Sequence, residues 1–370
     1  MQKLNYVWIL ILTSVVVISC KSKTNVNDTL IIEKTREIAK GASIPIIQVE
    51  FRDRAHVLSF ESSQIDSIPA SEDGNTVFQA ASLSKPIFAY IVLKMVDRGE
   101  IDLDTPVCEY TDIDRFVNKE WAQRLTPRMV LCHRTGLSNW AAGPSSEAWP
   151  TSPIEFLYEP DSIFSYSGEG YAFLQRAVEN IRGKSLQEIA EEEVFVPFDM
   201  PQTSYGWKES YNTIAADGYS REGENIGKTK YPRESSAYTL RTTAKEYSRF
   251  IRNVLVEGKG LKPETYQMML TPTGIAQRNK VTRDYDRFIE WGLGLGIEHN
   301  EELGDLYYHW GDNGNFKALF IVVPRDSKYL VYFTNSRNGH DIIDELVPLY
   351  FGNTKPLTLS TWIANDDFGY

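Results

Sequence analysis

The sequence predicts an α+β fold, in which an antiparallel sheet is flanked by helices and a mainly helical lobe is inserted. Short runs rich in aromatic and β-branched residues, separated by Gly, Asn and Pro, follow one another between residues 291 and 334, as is typical of antiparallel strands. Residues 46–51 and 57–60 predict a hairpin near the N-terminus. A lone hairpin needs a sheet to join, and we therefore expect it to complete the C-terminal sheet.

The chain between the hairpin and the C-terminal strands has a different pattern. Residues 102–238 carry helix-like segments joined by loops that contain Pro and Gly, with few alternating strands. This pattern predicts the inserted lobe. The expected organisation is a leader at 1–19, a tether at 20–27, a discontinuous α/β domain at 28–110 and 239–352, the mainly helical lobe at 111–238, and a tail at 353–370.

Two helices are expected on either side of the hairpin. Residues 28–40 have apolar residues at helical spacing and end at Gly41, a plausible C-cap. A second apolar run extends from about Ser82 to Arg98 and stops at Gly99. Since proline is tolerated only in the first turn of a helix, Pro86 indicates that this helix begins close to Ser82.

The inserted lobe contains clear helix starts. Thr126 and Pro127 predict an N-cap followed by proline at the first helical position. Residues 170–182 and 185–194 predict two more helices, and we interpret the run Glu191-Glu192-Glu193 as a solvated helix face.

The last third of the chain should supply the sheet and its closing helix. A helix is expected at 242–256, strands at 291–298, 306–310, 316–323 and 329–334, and a helix at 342–350.

The N-terminus is interpreted as a targeting segment. Lys3 precedes thirteen mostly apolar, uncharged residues at 7–19, too few to span a bilayer. The run Val17-Ile18-Ser19-Cys20 resembles a bacterial lipoprotein cleavage box, in which Cys20 would become the lipidated first residue. An ordinary secretory signal is the alternative. We expect an exported lipoprotein anchored in the membrane, on the periplasmic or cell-envelope face.

Composition narrows the class of partner and cofactor. The formal net charge is −11 and the sequence pI about 5.1, with no basic stripe, which argues against nucleic-acid binding. Cys108 and Cys132 would remain after processing, and both a disulfide and two separate thiols are possible. The five histidines lack ligand-like spacing, so neither a metal nor a cofactor is expected.

Ser82 and Lys85 begin the second apolar helix and lie three residues apart, so their side chains can meet on one face. A buried amine beside a serine can accept the hydroxyl proton if burial lowers the amine's pKa, and the helix N-terminus offers N–H groups to negative charge. Ser-x-x-Lys also occurs by chance, with serine as a helix cap and lysine as an exposed charge. The pair therefore becomes a candidate site only with other motifs.

Several further motifs occur in order and together resemble one family. These are residues 78–86 around the Ser-x-x-Lys tetrad, 99–107, His133-Arg134-Thr135-Gly136-Leu137, 164–171 around Tyr166-Ser167-Gly168, 196–200, and His309-Trp310-Gly311. The chain resembles the serine β-lactamase and penicillin-binding-protein superfamily, in its class C-like branch with esterases, D-aminopeptidases and D-Ala-D-Ala carboxypeptidases. The resemblance implies the β-lactamase/transpeptidase-like fold.

The resemblance also implies roles for individual residues. Ser82 would attack an ester or amide carbonyl and form an acyl-enzyme. Lys85 and Tyr166 are the two candidate bases, and Tyr166, whose phenol two neighbouring cations could acidify, would also protonate the leaving group. The oxyanion hole would be formed by the N–H of Ser82 and that of Asp312, the position after His309-Trp310-Gly311 on a strand edge. His309 is expected to be catalytic, and Gly311 to belong to the oxyanion-hole and substrate-binding group. His133 is interpreted as structural.

Departures from the family pattern bear on the substrate. Gly168 stands where many relatives have Asn, so an amide that could touch both Lys85 and the substrate is missing. Trp310 replaces a hydroxyl residue that binds the substrate carboxylate, and its apolar wall suits a neutral or hydrophobic substrate. Arg337 could still receive a carboxylate, but we favour a surface loop charge. Loops at 139–150 and 223–231 are expected to shape the pocket.

The sequence therefore predicts a serine hydrolase acting through an acyl-enzyme on an ester or amide of a small acyl substrate. A β-lactamase or D-Ala-D-Ala carboxypeptidase that acts on cell-wall peptides is the first alternative. A non-catalytic lipoprotein that binds cell-wall ligands is the second, and the co-occurrence of Ser82, Lys85, Tyr166 and His309 argues against it. No Gly-x-Ser-x-Gly motif is present, which disfavours a Ser-His-Asp hydrolase.

Overall fold

The computed structural model describes residues 26–65, 70–71, 74–277 and 283–364. The leader at 1–19 and the cleavage-box residue Cys20 lie outside the described residues, as does most of the tether. Within the described ranges, none of the helices combines the length and apolar character needed to cross a bilayer.

A seven-stranded antiparallel sheet forms the centre of the fold, in the order β2-β1-β11-β10-β9-β8-β7. Val49 of β1 lies opposite Phe60 of β2 and Tyr332 of β11, so the N-terminal hairpin does complete the C-terminal sheet. The strands are β1 Ile46–Asp53, β2 His56–Ser63, β3 Phe78–Gln79, β4 Gly218–Tyr219, β5 Asn225–Gly227, β6 Arg241–Thr242, β7 Ile289–Trp291, β8 Gly296–Asn300, β9 Gly304–Asp312, β10 Lys317–Val323 and β11 Lys328–Thr334. The short pairs β3-β6 and β4-β5 lie outside the large sheet.

Helices surround the sheet and fill the inserted region. They are α1 Val26–Gly41, α2 Ser84–Asp97, α3 Lys119–Ala122, α4 Pro127–Leu131, α5 Gly168–Arg182, α6 Leu186–Ala190, α7 Tyr211–Ile214, α8 Ala244–Ile251, α9 Pro263–Leu270, α10 Ile343–Phe351 and α11 Thr358–Ala364. Single π-helical turns extend α6 through Glu191–Phe195 and α8 through Arg252–Val256. The predicted cap is present, because the Thr126 hydroxyl accepts from the Met129 N–H and Pro127 opens α4.

Alternating side chains along β1 bring helices onto both faces of the sheet. Gln48 accepts a hydrogen bond from the N–H of Ala244 at the start of α8. Phe51, three residues further, points to the opposite face and contacts Tyr350 of α10, with ring centroids 5.2 Å apart. The sheet is thus a buried central layer, and α2, apolar on nearly all sides, lies in the core beside it.

The single strand predicted at 291–298 is two strands, β7 and β8, joined by a tight turn. The N–H of Gly292 donates to the carbonyl of Leu295 at 2.9 Å, and Gly294 adopts a φ of 94°. Glycine allows this backbone conformation. Residues 291–298 form a mostly apolar run, and the turn within it was therefore not predicted from the sequence.

The expectation of a solvated face at Glu191-Glu192-Glu193 is wrong for its last residue. Glu193 is buried and forms ion pairs with Lys94 of α2 at 2.7 Å, Arg98 at 3.0 Å and Arg182 at 2.7 Å. Burial alone would raise the pKa of this carboxyl, but the hydrogen bonds from the three cations outweigh it and lower the pKa to about 2. Glu193 therefore ties α2 to α5.

The C-terminal tail contains the packed helix α11. The buried carboxylate of Glu298 accepts the N–H groups of Thr358 and Leu359 at 3.0 and 2.7 Å, which holds the helix start. Trp362 is fully buried and packs against Trp291 of β7. The tail thus belongs to the core of the fold.

Cys108 and Cys132 are both unpaired. Cys132 is buried, and burial raises the pKa of its thiol to about 11. Of the two possibilities that the sequence left open, the structure has separate thiols.

Candidate active site

Ser82 lies in a 3₁₀ turn that directly precedes α2. Ala81, the residue before it, has a φ of 49°, a left-handed conformation that non-glycine residues adopt only under strain. The hydroxyl of Ser84 donates to the carbonyl of Ala81 at 2.6 Å, and the buried Tyr247 hydroxyl donates to the carbonyl of Leu83 at 2.9 Å. These bonds hold the turn in place and present the half-buried Ser82 at the helix start.

Lys85 is the second residue of α2, three positions after Ser82, and its Nζ atom is 3.1 Å from the Oγ of Ser82. The same nitrogen donates to the carbonyl of Ala237 at 2.9 Å. Only 1% of the lysine is exposed, and burial lowers its pKa well below the usual value. Lys85 can therefore be a neutral amine with its lone pair available to the serine hydroxyl.

Strand β9 passes very close to the turn that carries Ser82. A side-chain carbon at Gly311 would lie 2.3 Å from the carbonyl oxygen of Ala80, so only glycine fits there. The N–H of Asn313 donates to the carbonyl of Phe316 across the β9-β10 hairpin. Because hydrogen-bonded pairs alternate along antiparallel strands, the N–H of Asp312 points away from β10. It is a donor at the free edge of the sheet, as the predicted oxyanion hole requires.

His309 is fully buried on β9, and its Nδ1 lies 2.7 Å from the carbonyl oxygen of Trp310. A carbonyl only accepts, so Nδ1 carries the proton and Nε2 is the acceptor. Burial and the nearby Lys85 lower the pKa of His309 to about 3, against an opposing effect of the hydrogen bond to Trp310. The imidazole is neutral near pH 7, so His309 is not one of the cations that could acidify the phenol of Tyr166.

Tyr166 lies among aromatic rings and the catalytic amine. Its ring centroid is 4.2 Å from that of His133 and 5.1 Å from that of Trp310, and Nζ of Lys85 lies 4.7 Å from the ring centroid. His133 accepts the N–H of Ser167 on Nδ1 at 3.1 Å. His133 thus fixes the segment around Tyr166, which agrees with the structural role predicted for it.

Gly168 is the first residue of α5 and lies against Trp140. A side-chain carbon at position 168 would lie 2.3 Å from Cζ2 of the Trp140 indole. The N–H of Gly168 donates to Oδ1 of Asn139 at 2.9 Å. The indole therefore occupies the space where a larger residue at 168 would project.

A cavity of about 560 Å³ opens at the nucleophile. Its walls are formed by Ser82, Lys85, Asn139, Trp140, Pro144, Tyr166, Tyr231, Tyr238, Trp310, Asp312, Asn313, Gly314, Lys317 and Arg337. The predicted residues Ser82, Lys85 and Tyr166 thus meet Trp310 and Asp312 on one surface.

The remaining predicted site residues lie around that surface. His309 and Gly311 are on β9 beside the nucleophile turn, and Gly168 lies behind Trp140. Arg337 is an exposed loop residue, in line with our preference for a surface loop charge, and it also lines the cavity. Lys317 and Asp312 form an ion pair at the same wall.

Asn139 and Trp140 are cavity residues that the motifs did not identify individually. They directly follow the turn at 133–137, and the sequence indicated only that loop 139–150 would shape the pocket. No separate motif marks them in the sequence, and the structure identifies them through the contact of Trp140 with Gly168 of the second motif. Tyr231 is a third such residue. It comes from the other predicted loop, 223–231, and its hydroxyl donates to Oε1 of Gln79 at 2.5 Å.

Comparisons with known proteins agree with this geometry. The model of the Beta-lactamase family matches residues 54–347. Penicillin-binding protein 4 from Amycolatopsis lactamdurans is 25% identical over 281 residues, covering 70% of this chain and 72% of the relative. The D-alanyl-D-alanine-carboxypeptidase/endopeptidase AmpH from Escherichia coli K12 is 22% identical over 332 residues, covering 77% and 79%.

A solved structure has the same fold. The D-stereospecific amidohydrolase from a Streptomyces species superposes with a TM-score of 0.73 at 18% identity, covering 88% of this chain and 99% of that one. The chain belongs to the Beta-lactamase family and is a serine hydrolase that acts through an acyl-enzyme. The fold class, the family resemblance and the class of enzyme predicted from the sequence are confirmed.

Proposed function

We propose that the protein hydrolyses an ester or amide of a small, mainly apolar acyl group, with Ser82 as nucleophile and Lys85 as base. The observation that carries the proposal is the 3.1 Å separation of Lys85 Nζ and Ser82 Oγ, at an amine whose pKa is lowered by burial. Between the two candidate bases, this favours Lys85 for the first proton transfer.

Acylation then follows from these positions. Ser82 Oγ bonds to the substrate carbonyl carbon while its proton moves to Lys85. The oxygen that gains negative charge accepts hydrogen bonds from the N–H groups of Ser82 and Asp312. When the bond to the leaving group breaks, Tyr166 donates its proton to the leaving oxygen or nitrogen and recovers one from Lys85.

Deacylation uses the same groups in reverse. With Lys85 neutral again, a water molecule in the cavity attacks the acyl carbonyl and gives its proton to that amine. The acyl-enzyme bond breaks, the acid leaves, and the proton returns to Ser82 Oγ. His309, held as the Nδ1–H tautomer, stays neutral throughout and keeps a second positive charge away from Lys85.

The cavity walls favour a neutral acyl group. Trp140, Tyr166, Tyr238 and Trp310 are four aromatic side chains that line the cavity, and such walls bind apolar and flat groups well. We therefore propose that esters or amides of small neutral acyl groups are better substrates than those of charged acyl groups.

A second candidate is activity on D-alanyl peptides or β-lactams. Lys317 and Arg337 line the cavity, and Arg337 forms none of the ion pairs recorded among the described residues, so it is available to a substrate carboxylate. The relatives named as a penicillin-binding protein and a D-alanyl-D-alanine-carboxypeptidase/endopeptidase agree with this candidate.

One panel of assays separates the candidates. Purified protein is tested with p-nitrophenyl acetate, nitrocefin and D-alanyl-D-alanine peptides, beside the variant S82A. Ester turnover that S82A abolishes, without lactam or peptide turnover, supports the first candidate. Peptide or lactam turnover that exceeds ester turnover supports the second. Equal labelling of both proteins by a fluorophosphonate probe would remove Ser82 from the mechanism.

We also propose that the protein is an exported lipoprotein anchored through Cys20 to the cell envelope. The support is the leader sequence, with its basic start, short apolar run and Val17-Ile18-Ser19-Cys20 end. In a bacterial host, C20A should move the protein from the membrane fraction to the soluble fraction. Mass spectrometry should find a lipid-modified Cys20 as the first residue, and an unmodified start further along the chain would refute the proposal.

A further inference from the structure

Asn313 is the first residue after β9, next to Asp312, whose N–H is the oxyanion donor on that strand. The Nδ2 atom of Asn313 lies 3.0 Å from Oε1 of Gln79, 2.8 Å from the hydroxyl of Tyr231 and 3.1 Å from the carbonyl oxygen of Tyr238. These partners are 234, 82 and 75 positions earlier in the chain. One side chain therefore joins β9 to three distant segments.

The direction of each hydrogen bond around Asn313 is determined. A backbone carbonyl only accepts, so the atom of Asn313 that meets Tyr238 is the NH₂ nitrogen. The atom of Gln79 that meets this donor must then be its oxygen, and the Tyr231 hydroxyl donates to the same oxygen at 2.5 Å. An amide nitrogen has two N–H bonds, and its three acceptors are all protein atoms. Neither bond is left for a substrate.

Gln79 links Asn313 to the nucleophile. It is the last residue of β3, and the turn Ala81–Leu83 that contains Ser82 begins two positions later. Only 5% of Gln79 is exposed, and the N–H of Ala80 donates to the carbonyl of Leu240 at 2.8 Å. A bond to Gln79 is therefore a bond to a fixed segment that carries the nucleophile.

Tyr238 links Asn313 to the catalytic amine. Its neighbour Ala237 supplies the carbonyl that accepts the Nζ of Lys85 at 2.9 Å. Asn313 thus donates to the peptide group next to the one that positions Lys85. Tyr231 closes the cluster, because its hydroxyl bonds to the other two side chains.

Strand pairing does not set the distance between the two oxyanion donors. β3 and β9 belong to different sheets, yet the N–H groups of Ser82 and Asp312 must both reach one oxygen, at about 2.7–3.1 Å. The side chain of Asn313 bridges the two sheets at the position next to Asp312. Its hydrogen bonds can therefore set a spacing that the backbone ladders leave open.

We propose that Asn313 is a positioning residue that holds the N–H groups of Ser82 and Asp312 at the spacing the oxyanion requires, with Tyr231 closing the cluster. The proposal rests on the proposed function, because an oxyanion forms only when Ser82 attacks a carbonyl. Asn313 acts through the segments that it joins, and its amide donates to protein atoms. Its loss should therefore slow the reaction without weakening the binding of the acyl group.

The test measures hydrolysis of p-nitrophenyl acetate by the variant N313A. Acylation and deacylation both pass through an oxyanion, so kcat should fall about 10–10²-fold whichever step is slower, as expected for misplaced groups. KM should change little. Phenylboronic acid adds to a serine hydroxyl and places an oxygen in the oxyanion hole, so its affinity should fall by a similar factor. A role confined to stability would leave kcat and boronate affinity of the folded protein unchanged.

Y231F is the milder variant, and it keeps the test decisive if N313A does not fold. It removes only the hydroxyl that closes the cluster, and kcat should fall roughly 3–10-fold. In the N313A background the same change should have almost no further effect, since the cluster is already open.

Y266F is the matched control. Tyr266 of α9 is also half-buried, and its hydroxyl donates to the carbonyl of Leu255 at 2.8 Å. It lies outside the catalytic cavity, so Y266F should keep the wild-type kcat and boronate affinity.

The outcomes for N313A and the wild type separate the two levels of the argument. Wild-type kcat and boronate affinity in N313A would overturn the role of Asn313 and leave the proposed function intact. A loss confined to KM would also overturn it, because it would place Asn313 in substrate binding. If the wild-type protein hydrolyses no ester and Ser82 is not labelled by a fluorophosphonate, the proposed function fails and the role of Asn313 fails with it.

Discussion

Lys85 Nζ donates a 2.9 Å hydrogen bond to the carbonyl oxygen of Ala237, a residue 152 positions further along the chain. The bond uses one N–H of the amine and turns the rest of the nitrogen towards Ser82 Oγ, 3.1 Å away. Among the residues that the structure describes, no carboxylate forms an ion pair with Lys85. An amine that is positioned by a neutral carbonyl in this way is suited to remain deprotonated.

The first prediction concerns this amine. K85M removes the base, and K85R replaces it with a group that stays protonated at all working pH values. Both should lower kcat/KM for p-nitrophenyl acetate by about 10²–10⁴, the usual contribution of general-base catalysis. K245M, at an exposed lysine of α8, is the control. A K85M enzyme that fluorophosphonates label at the wild-type rate would contradict the role.

The burial of Lys85 also determines how kcat/KM should depend on pH. Lys85 must be neutral to act, and its pKa lies well below the usual 10.5. The kcat/KM for an ester should therefore rise with pH and reach its plateau well below pH 10.5. A rise that is complete only near pH 10.5 would mean that the base is not Lys85, or that its amine is solvated.

His309 should make the protein acid-sensitive. Its pKa is about 3 in the folded protein and 6.5 ordinarily, so the unfolded chain binds the proton more tightly. The stabilisation is complete above pH 6.5 and is lost as the pH falls towards 3, at about 1.4 kcal/mol per pH unit. At pH 4.5 the loss from this residue should be about 2–3 kcal/mol.

The variant H309N isolates that contribution. Its side-chain amide can replace the Nδ1–H donor to Trp310 but does not titrate. Urea unfolding at pH 7 and pH 4.5 should show a smaller acid loss in H309N than in the wild type. His133 and His340, which also have pKa values lowered by burial, remain in both proteins. An equal loss would show that His309 is not held neutral.

Much of the fold could be predicted from the sequence because helix ends and turns are marked by residues that lie within or next to them. Pro86 and Gly99 bound the nucleophile helix, Thr126 and Pro127 start α4, and the turn residues between C-terminal strands separate them. The residues that carry the chemistry also belong to short motifs, so Ser82 could be named in advance.

Other features depend on contacts between distant segments. Glu193 looked solvated because its partners Lys94 and Arg98 lie about one hundred residues earlier in the chain. The cavity position of Asn139 is set by a loop that Glu169 anchors from α5. Neither the ion pairs of Glu193 nor the cavity position of Asn139 is marked by a periodic pattern or a helix-cap motif in the sequence, so neither could be predicted from it.

Gly168 and Trp140 should be energetically coupled. Alanine normally stabilises a helix relative to glycine, by about 1 kcal/mol, yet at this position its Cβ would lie 2.3 Å from the indole. We expect G168A to destabilise the protein by about 1–3 kcal/mol through overpacking. W140A should remove the clash, so the double variant should lose less stability than the two single variants added together. Additive losses in urea unfolding would mean that the indole moves away freely.

The last prediction concerns Trp362, which joins the tail to the site. Its ring centroid lies 6.0 Å from that of Trp291 and 5.2 Å from that of Trp310, the residue that lines the catalytic cavity. W362A should cost about 3–5 kcal/mol of unfolding free energy because it leaves a large cavity in the core. Since Trp310 loses a support, the KM for an aromatic ester should rise more than kcat falls. W121A, at a partly exposed tryptophan of α3, should leave KM unchanged. If W362A lowers stability but leaves KM at the wild-type value, the tail stabilises the fold without positioning Trp310.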